Sequence, residues 1–328
     1  MDFAGNIHYP QEKGGKEMIY LIFLASFIVA GASMYILFRD KVISLIGAAL
    51  YTLMPYRIYV CFDIKDKGQA LFWMIVPLVI LCLEKAYASK KNVYKFLLLA
   101  VAAVIMVLLS RTDAPIMVVG VAVLILAGLM LKRYLYIPVA IVSLAGSVVV
   151  NMPYWRFILF GHINSETVAS TLIAAKGYYL GKYFMSWLYF DNLPGLGFGL
   201  LLALAMIIWY LVNVEKTETE SDGKVIAIDK KRIITMCLLS LLLSAMAFHW
   251  GIWDIAERVH PIAERFISSI GSPNILFGYG CLVLCIPAAM VIREFAEIKK
   301  PIISKLIPLF IIGMNIFAAI FQIVSRVK

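Results

Sequence analysis

Ten stretches of this 328-residue chain are long and apolar enough to lie in a bilayer, which leaves little room for any fold but a helical membrane bundle. Met18–Phe38 carries no charge and, at 1.5 Å per residue, covers a hydrocarbon core of about 30 Å. Leu193–Val214, Asn274–Ile292 and Ile302–Val324 are equally long, and Tyr134–Trp155 is close behind. Phe96–Ser110, Ala114–Leu131 and Ile233–Phe248 are shorter. Val42–Phe62 spans if Arg57 snorkels outward past the break at Pro55. Ala70–Leu83 reaches only about 21 Å at helical rise, so it must extend into the polar turn before it or enter and leave on one face. Composition agrees: 62% of residues are hydrophobic and 15% charged, which excludes an ordinary water-soluble domain.

Basic residues orient the bundle. One side of the ten-span arrangement collects Arg39 and Lys41, then Lys85, Lys90, Lys91 and Lys95, then Lys132 and Arg133. The same side takes Lys216, Lys224, Lys230, Lys231 and Arg232, and finally Arg293, Lys299, Lys300 and Lys305. More than half of the 30 basic residues therefore sit in the shorter set of loops, which marks that side as cytoplasmic. Both termini then face outward. With no cleavable leader before Met18, an outward start leads us to expect a further span upstream. The net charge of +10 flanks apolar spans and so suits lipid headgroups, not nucleic acid.

The chain reads as a single transmembrane domain over 1–328, with a cytoplasmic loop at about 215–232 whose mixed charges suit a solvated hairpin. Two outward segments, about 156–192 and 249–273, are rich in aromatic residues and suit helices lying at headgroup depth. In the second, Trp253, Ala256, Val259 and Ala263 fall at helical spacing, and Pro261 is expected to kink or split the helix. Cys82, Cys237, Cys281 and Cys285 lie inside spans and Cys61 nears the outer surface, so no disulfide framework is implied; Cys281 and Cys285 read as packing residues.

Chemistry, if present, belongs to the outward acids and arginines. Asp2, Glu12, Glu17, Asp63, Asp66, Asp113, Asp254, Glu257 and Glu264 are outward carboxylates, none singled out by spacing. Asp63 and Asp66, flanking Lys65, are the acid/base candidates, against the plainer reading of an ion-paired turn. Arg57, Arg111 and Arg156 each lie at an outer boundary, where a guanidinium fork could hold a phosphate; together they would form an anion-binding rim. Each alone also reads as a snorkelling anchor, and Asp113 offers Arg111 a local partner. His249, His260 and Asp254 lack paired metal-ligand spacing. Neither a phosphate-cradling glycine loop nor a serine elbow nor a nucleotide fingerprint is present, which argues against soluble-nucleotide chemistry.

The string MYILFRDKVISLIGAALYTLMPYRIYVCFDIKDKGQALFWMIVPLVILCLEK resembles a segment of YfhO-like bacterial membrane proteins: a basic turn, a span ending in PYR, a polar turn, and a Pro-containing span closed by Glu-Lys. LLSRTDAPIMVVGV, VVVNMPYWRF, LSAMAFHWGIWDIAERV and FISSIGSPNILFGYG are similar to later parts of that family. The resemblance covers most of 18–295. It implies a GT-C-like fold in the bacterial cytoplasmic membrane and transfer of a sugar from a polyprenyl-phosphate donor to an extracytoplasmic acceptor, as part of cell-envelope glycosylation. Three departures accompany it. Gly68-Gln69 stands where the family carries Gly-Glu, Gly271-Ser272-Pro273-Asn274-Ile275 stands where it reads Gln-Phe-Pro-Trp-Arg, and the family's first span would lie before Met1. These leave open a truncated or inactive relative, and the alternative is a non-catalytic scaffold or a lipid transporter. No cofactor or protein partner is implied by the residues.

Overall fold

A computed structural model describes residues 14–161, 197–213, 230–247, 260–270, 274–298 and 301–327. Among them every regular element is helical. In chain order these are α1 (Gly14–Phe38), α2 (Lys41–Thr52), α3 (Pro55–Ile58), a π-helical turn (Tyr59–Ile64), α4 (Lys67–Ala88), α5 (Asn92–Leu109), α6 (Ala114–Met130), α7 (Tyr136–Val150) and α8 (Met152–Phe160). Then follow α9 (Gly197–Asn213), α10 (Lys230–Met246), α11 (Pro261–Ile270), α12 (Asn274–Ile298) and α13 (Pro301–Val327).

Aspartates start three of the helices, each accepting from backbone N–H groups that the first turn leaves unpaired. Asp40 caps α2 through Val42 N and Ile43 N at 2.7 and 3.0 Å. Asp66 caps α4 and Asp113 caps α6. Inside the bundle, α12 is the hub, packed against α2, α9, α10 and α13. Glycines let it approach its neighbours: a Cβ on Gly278 would lie 2.6 Å from the Tyr56 ring, and the Gly280 carbonyl accepts from Ser240 at 2.8 Å. Pro77 within α4 has no N–H for the carbonyl of Trp73, four residues earlier, and the Tyr51 hydroxyl donates to that carbonyl instead.

The outer faces are apolar. Ile28 on α1 is 72% exposed and Val93 on α5 is 84% exposed, with Leu21, Phe96, Leu309 and Phe317 likewise turned outward. Apolar residues on both the inner and outer faces of long helices suit lipid as the surrounding solvent. Four helices are long and apolar enough to cross a membrane: Glu17–Phe38, Lys67–Ala88, Asn92–Leu109 and Asn274–Glu294. The count reaches six if two bent pairs each make one span. The protein is thus a helical membrane protein.

Three spans differ from their sequence reading. Ala70–Leu83 is the middle of the 22-residue α4, which the Asp66 cap starts three residues earlier. Val42–Phe62 is broken into Lys41–Thr52 and Pro55–Ile64, bent by 49° where Pro55 begins α3. Arg57 does not snorkel from that break: it is fully buried. Tyr134–Trp155 turns by 94° at Asn151, with Pro153 in the first turn of α8. A helix starts at Pro261 directly after the non-helical His260, in keeping with the expected break there, because the first turn needs no proline N–H. Asp2, Glu12, His249, Asp254 and Glu257, most of the outward segment 156–192 and most of the loop 215–232 lie outside the described residues.

Candidate functional site

Gly68 brings the start of α4 against the turn between α5 and α6. A Cβ there would stand 2.4 Å from the Thr112 carbonyl oxygen, so only glycine allows this approach. The consequence is that two helix-capping carboxylates, Asp66 and Asp113, come close enough to repel. Asp66 Oδ1 accepts from Gly68 N at 2.7 Å and Gln69 N at 3.1 Å. Asp113 Oδ1 accepts from Ile116 N at 2.9 Å, and the Gln69 side chain donates to the same carboxylate. Burial pushes the Asp113 carboxyl up to about 7, with Asp66 adding to the rise and the bonds from Ile116 and Gln69 opposing it.

Beside this pair opens a cleft of about 330 Å³. Arg111, Asp113, Gln69, Asn151, Tyr154 and Ser269 supply its polar lining. Its walls are held from below: Asn151 Nδ2 donates to the Ser110 carbonyl at 2.7 Å, and the Tyr154 hydroxyl lies 3.2 Å from Ser269 Oγ. The 94° turn at Asn151 therefore folds α8 over the α5–α6 turn, and α11 meets α8 from the other side. Arg265 of α11 donates to the carbonyls of Leu159 and Gly161, closing the C-terminal end of α8.

The five residues expected to carry chemistry separate here. Arg111 is exposed, lines the cleft and makes no ion pair among the described residues; Asp113 is occupied by its cap and Gln69. Arg57 and Arg156 are not part of the lining, so the three arginines do not form a shared rim around this cleft. Arg156 is exposed on α8. Arg57 lies in the core, its guanidinium carbon 5.2 Å from the centre of the Tyr51 ring and Nη1 3.4 Å from the Tyr51 hydroxyl. Among the described residues its Nε and Nη2 meet no hydrogen-bond acceptor. Asp63 and Asp66 also stand outside the lining: Asp63 is half-buried in the π-helical turn and Asp66 Oδ1 holds the α4 cap. Glu17 and Glu264, described on α1 and α11, are likewise absent from the lining.

Asn151, Tyr154 and Ser269 were not picked out by sequence, and Gln69 was noted only as a departure from the resembled family. One local signal was available for Asp113, since an aspartate two residues before a proline matches a capped helix start with Pro in the first turn. Among the described residues no group of three His, Cys, Asp or Glu side chains is placed to hold a metal ion. Comparison with known proteins gives no match to a family model, a curated protein or a solved structure.

Proposed function

We propose that this chain is a multi-pass protein of about ten spans in the bacterial cytoplasmic membrane, YfhO-like and GT-C-like, which transfers a sugar from a polyprenyl-phosphate donor to an extracytoplasmic acceptor. The Asp113 end of the bundle faces outward in this reading, and the end carrying Glu84, Lys90 and Arg133 faces the cytoplasm. One observation supports it above the others: a carboxyl with a near-neutral pKa and a guanidinium that makes no ion pair among the described residues lie two residues apart in one polar cleft.

Ionised Asp113 takes the proton of an acceptor hydroxyl as that oxygen bonds to the anomeric carbon of the sugar. The bond from the anomeric carbon to the phosphate oxygen breaks, and polyprenyl phosphate leaves with the electron pair. Arg111 neutralises the charge that develops on it. Asp113 thus replaces Asp63 and Asp66 as the base, and Gln69 orients it. A proton acceptor works best when its pKa lies near the operating pH, which the Asp113 carboxyl meets.

Release of polyprenyl phosphate from polyprenyl-phosphate sugars tests the reading, with the full chain reconstituted in liposomes. Asp113→Asn keeps a good cap residue yet removes the base, so release should fall by about 10²–10⁴-fold in a folded protein. In the wild type, release should rise with pH through about 7 as Asp113 ionises. Equal release by Asp113→Asn and wild type would reject the assignment in favour of a scaffold or lipid-carrying role.

A further inference from the structure

At the other end of α4 lies a second feature, unlike the cleft in character. A slot of about 80 Å³ runs between α4, α6, α10 and α12 and is lined almost entirely by apolar side chains, among them Val76, Leu83, Val123, Ala127, Met236 and Leu282. From Phe72 to Glu84 along α4 the slot extends roughly 18 Å at helical rise. It is too apolar to hold ordered water well, because a buried water needs two to four polar partners.

One end of this slot is charged. Glu84 and Tyr136 both line it, and the Tyr136 hydroxyl donates to Glu84 at 2.5 Å. Arg232 Nη2 donates to the same carboxylate at 2.7 Å, while Arg133 Nη2 stays 4.0 Å away, beyond hydrogen-bond range. The Arg133 guanidinium rests 3.5 Å over the Tyr87 ring. Among the described residues, two guanidinium groups therefore face one carboxylate, and the buried Arg232 Nε meets no acceptor. Among the described residues, this end of the apolar slot thus carries one positive charge in excess.

We propose that this slot binds an anionic phospholipid, one acyl chain lying between α4, α6 and α12 and the phosphodiester held by Arg133 with Arg232 behind it. Charge decides the occupant: a zwitterionic headgroup brings its own cation to a mouth that is already positive, whereas an anionic phosphodiester neutralises it. The apolar lining decides the anchor, because each methylene removed from water favours binding. The site lies at the opposite end of α4 from Asp113 and does not rest on the glycosyl-transfer reading.

The test uses the delipidated full chain in detergent and native mass spectrometry, with phosphatidylglycerol and phosphatidylcholine of identical chains. Wild type should retain phosphatidylglycerol about tenfold more strongly, as one charge-assisted hydrogen bond suffices for that difference. Arg133→Gln, which breaks no short hydrogen bond, should abolish the preference. Ala127→Phe fills the slot and should weaken both lipids; Leu124→Phe, on the same wall, serves if that variant does not fold. Equal retention of the two lipids by wild type overturns the headgroup assignment. Unchanged phosphatidylglycerol binding in a slot-filled variant, or equally strong binding of glycerol phosphate without chains, overturns the slot.

Discussion

Two arginines at different levels of one bundle meet opposite fates. Arg232, largely but not fully buried, reaches Glu84 at 2.7 Å, and Tyr136 donates to the same carboxylate, so α4, α7 and α10 are tied together through it. Arg57, fully buried in the Asp113 half, meets only the face and distant hydroxyl of Tyr51 among the described residues. A paired buried charge fixes geometry at little net gain, whereas an unpaired one is a standing cost of several kcal/mol.

The largest effect should come from breaking the paired side. Glu84→Ala leaves two arginines without their carboxylate and should lower stability by about 3–5 kcal/mol, read as a fall in the thermal midpoint in detergent. Arg57→Met sharpens the contrast from the other side. Removing a charge that has no ion-pair partner among the described residues, while keeping most of its volume, should leave stability unchanged or raise it by about 1–4 kcal/mol in the same assay. A loss of the size seen for Glu84→Ala would mean that Arg57 is satisfied after all. Gly68→Ala should give a smaller loss of about 1–3 kcal/mol, since its methyl group must push the α5–α6 turn away. The separation of Asp113 from Asp66 would grow with it, so the Asp113 carboxyl should titrate lower in this variant, measured by isotope-edited infrared spectroscopy.

Asp113 also sets a pH dependence of stability. Its folded carboxyl binds a proton more tightly than the ordinary value of 3.8, so the contribution is fully present below that value and is lost as pH rises through about 7. Asp113→Asn should flatten the wild-type decline over this window.

Sequence made the helical membrane character legible because it is written in local runs: the Met18–Phe38 segment needs no tertiary information to be recognised, and α1 contains it. Proline announced the break at Pro55, yet not its angle, and the turn at Asn151 went unread within Tyr134–Trp155, because both depend on what packs against each half. Arg57 shows why. Its place in PYR suggested an outer boundary, but Trp73 and Gly278 pack on the neighbouring Tyr56, and the helices that carry them close over the segment. Glu84 closed an apolar span like any boundary carboxylate, and its partner Arg232 stands 148 residues away, a pairing no window could expose. At the cleft, Arg111 and Asp113 were both visible as outer charges. What singled them out was the contact of Gly68 with Thr112 and the turn at Asn151, neither of which has a local pattern.

The most direct test of the outward cleft as the working site is the affinity of polyprenyl phosphate for wild type, Arg111→Ala and Lys90→Ala in nanodiscs. One lost charge-assisted hydrogen bond contributes about 1.5–3 kcal/mol, so Arg111→Ala should bind roughly ten- to hundredfold more weakly. Lys90→Ala, at the far end of the bundle, should match wild type. Equal affinities for all three proteins would contradict the account.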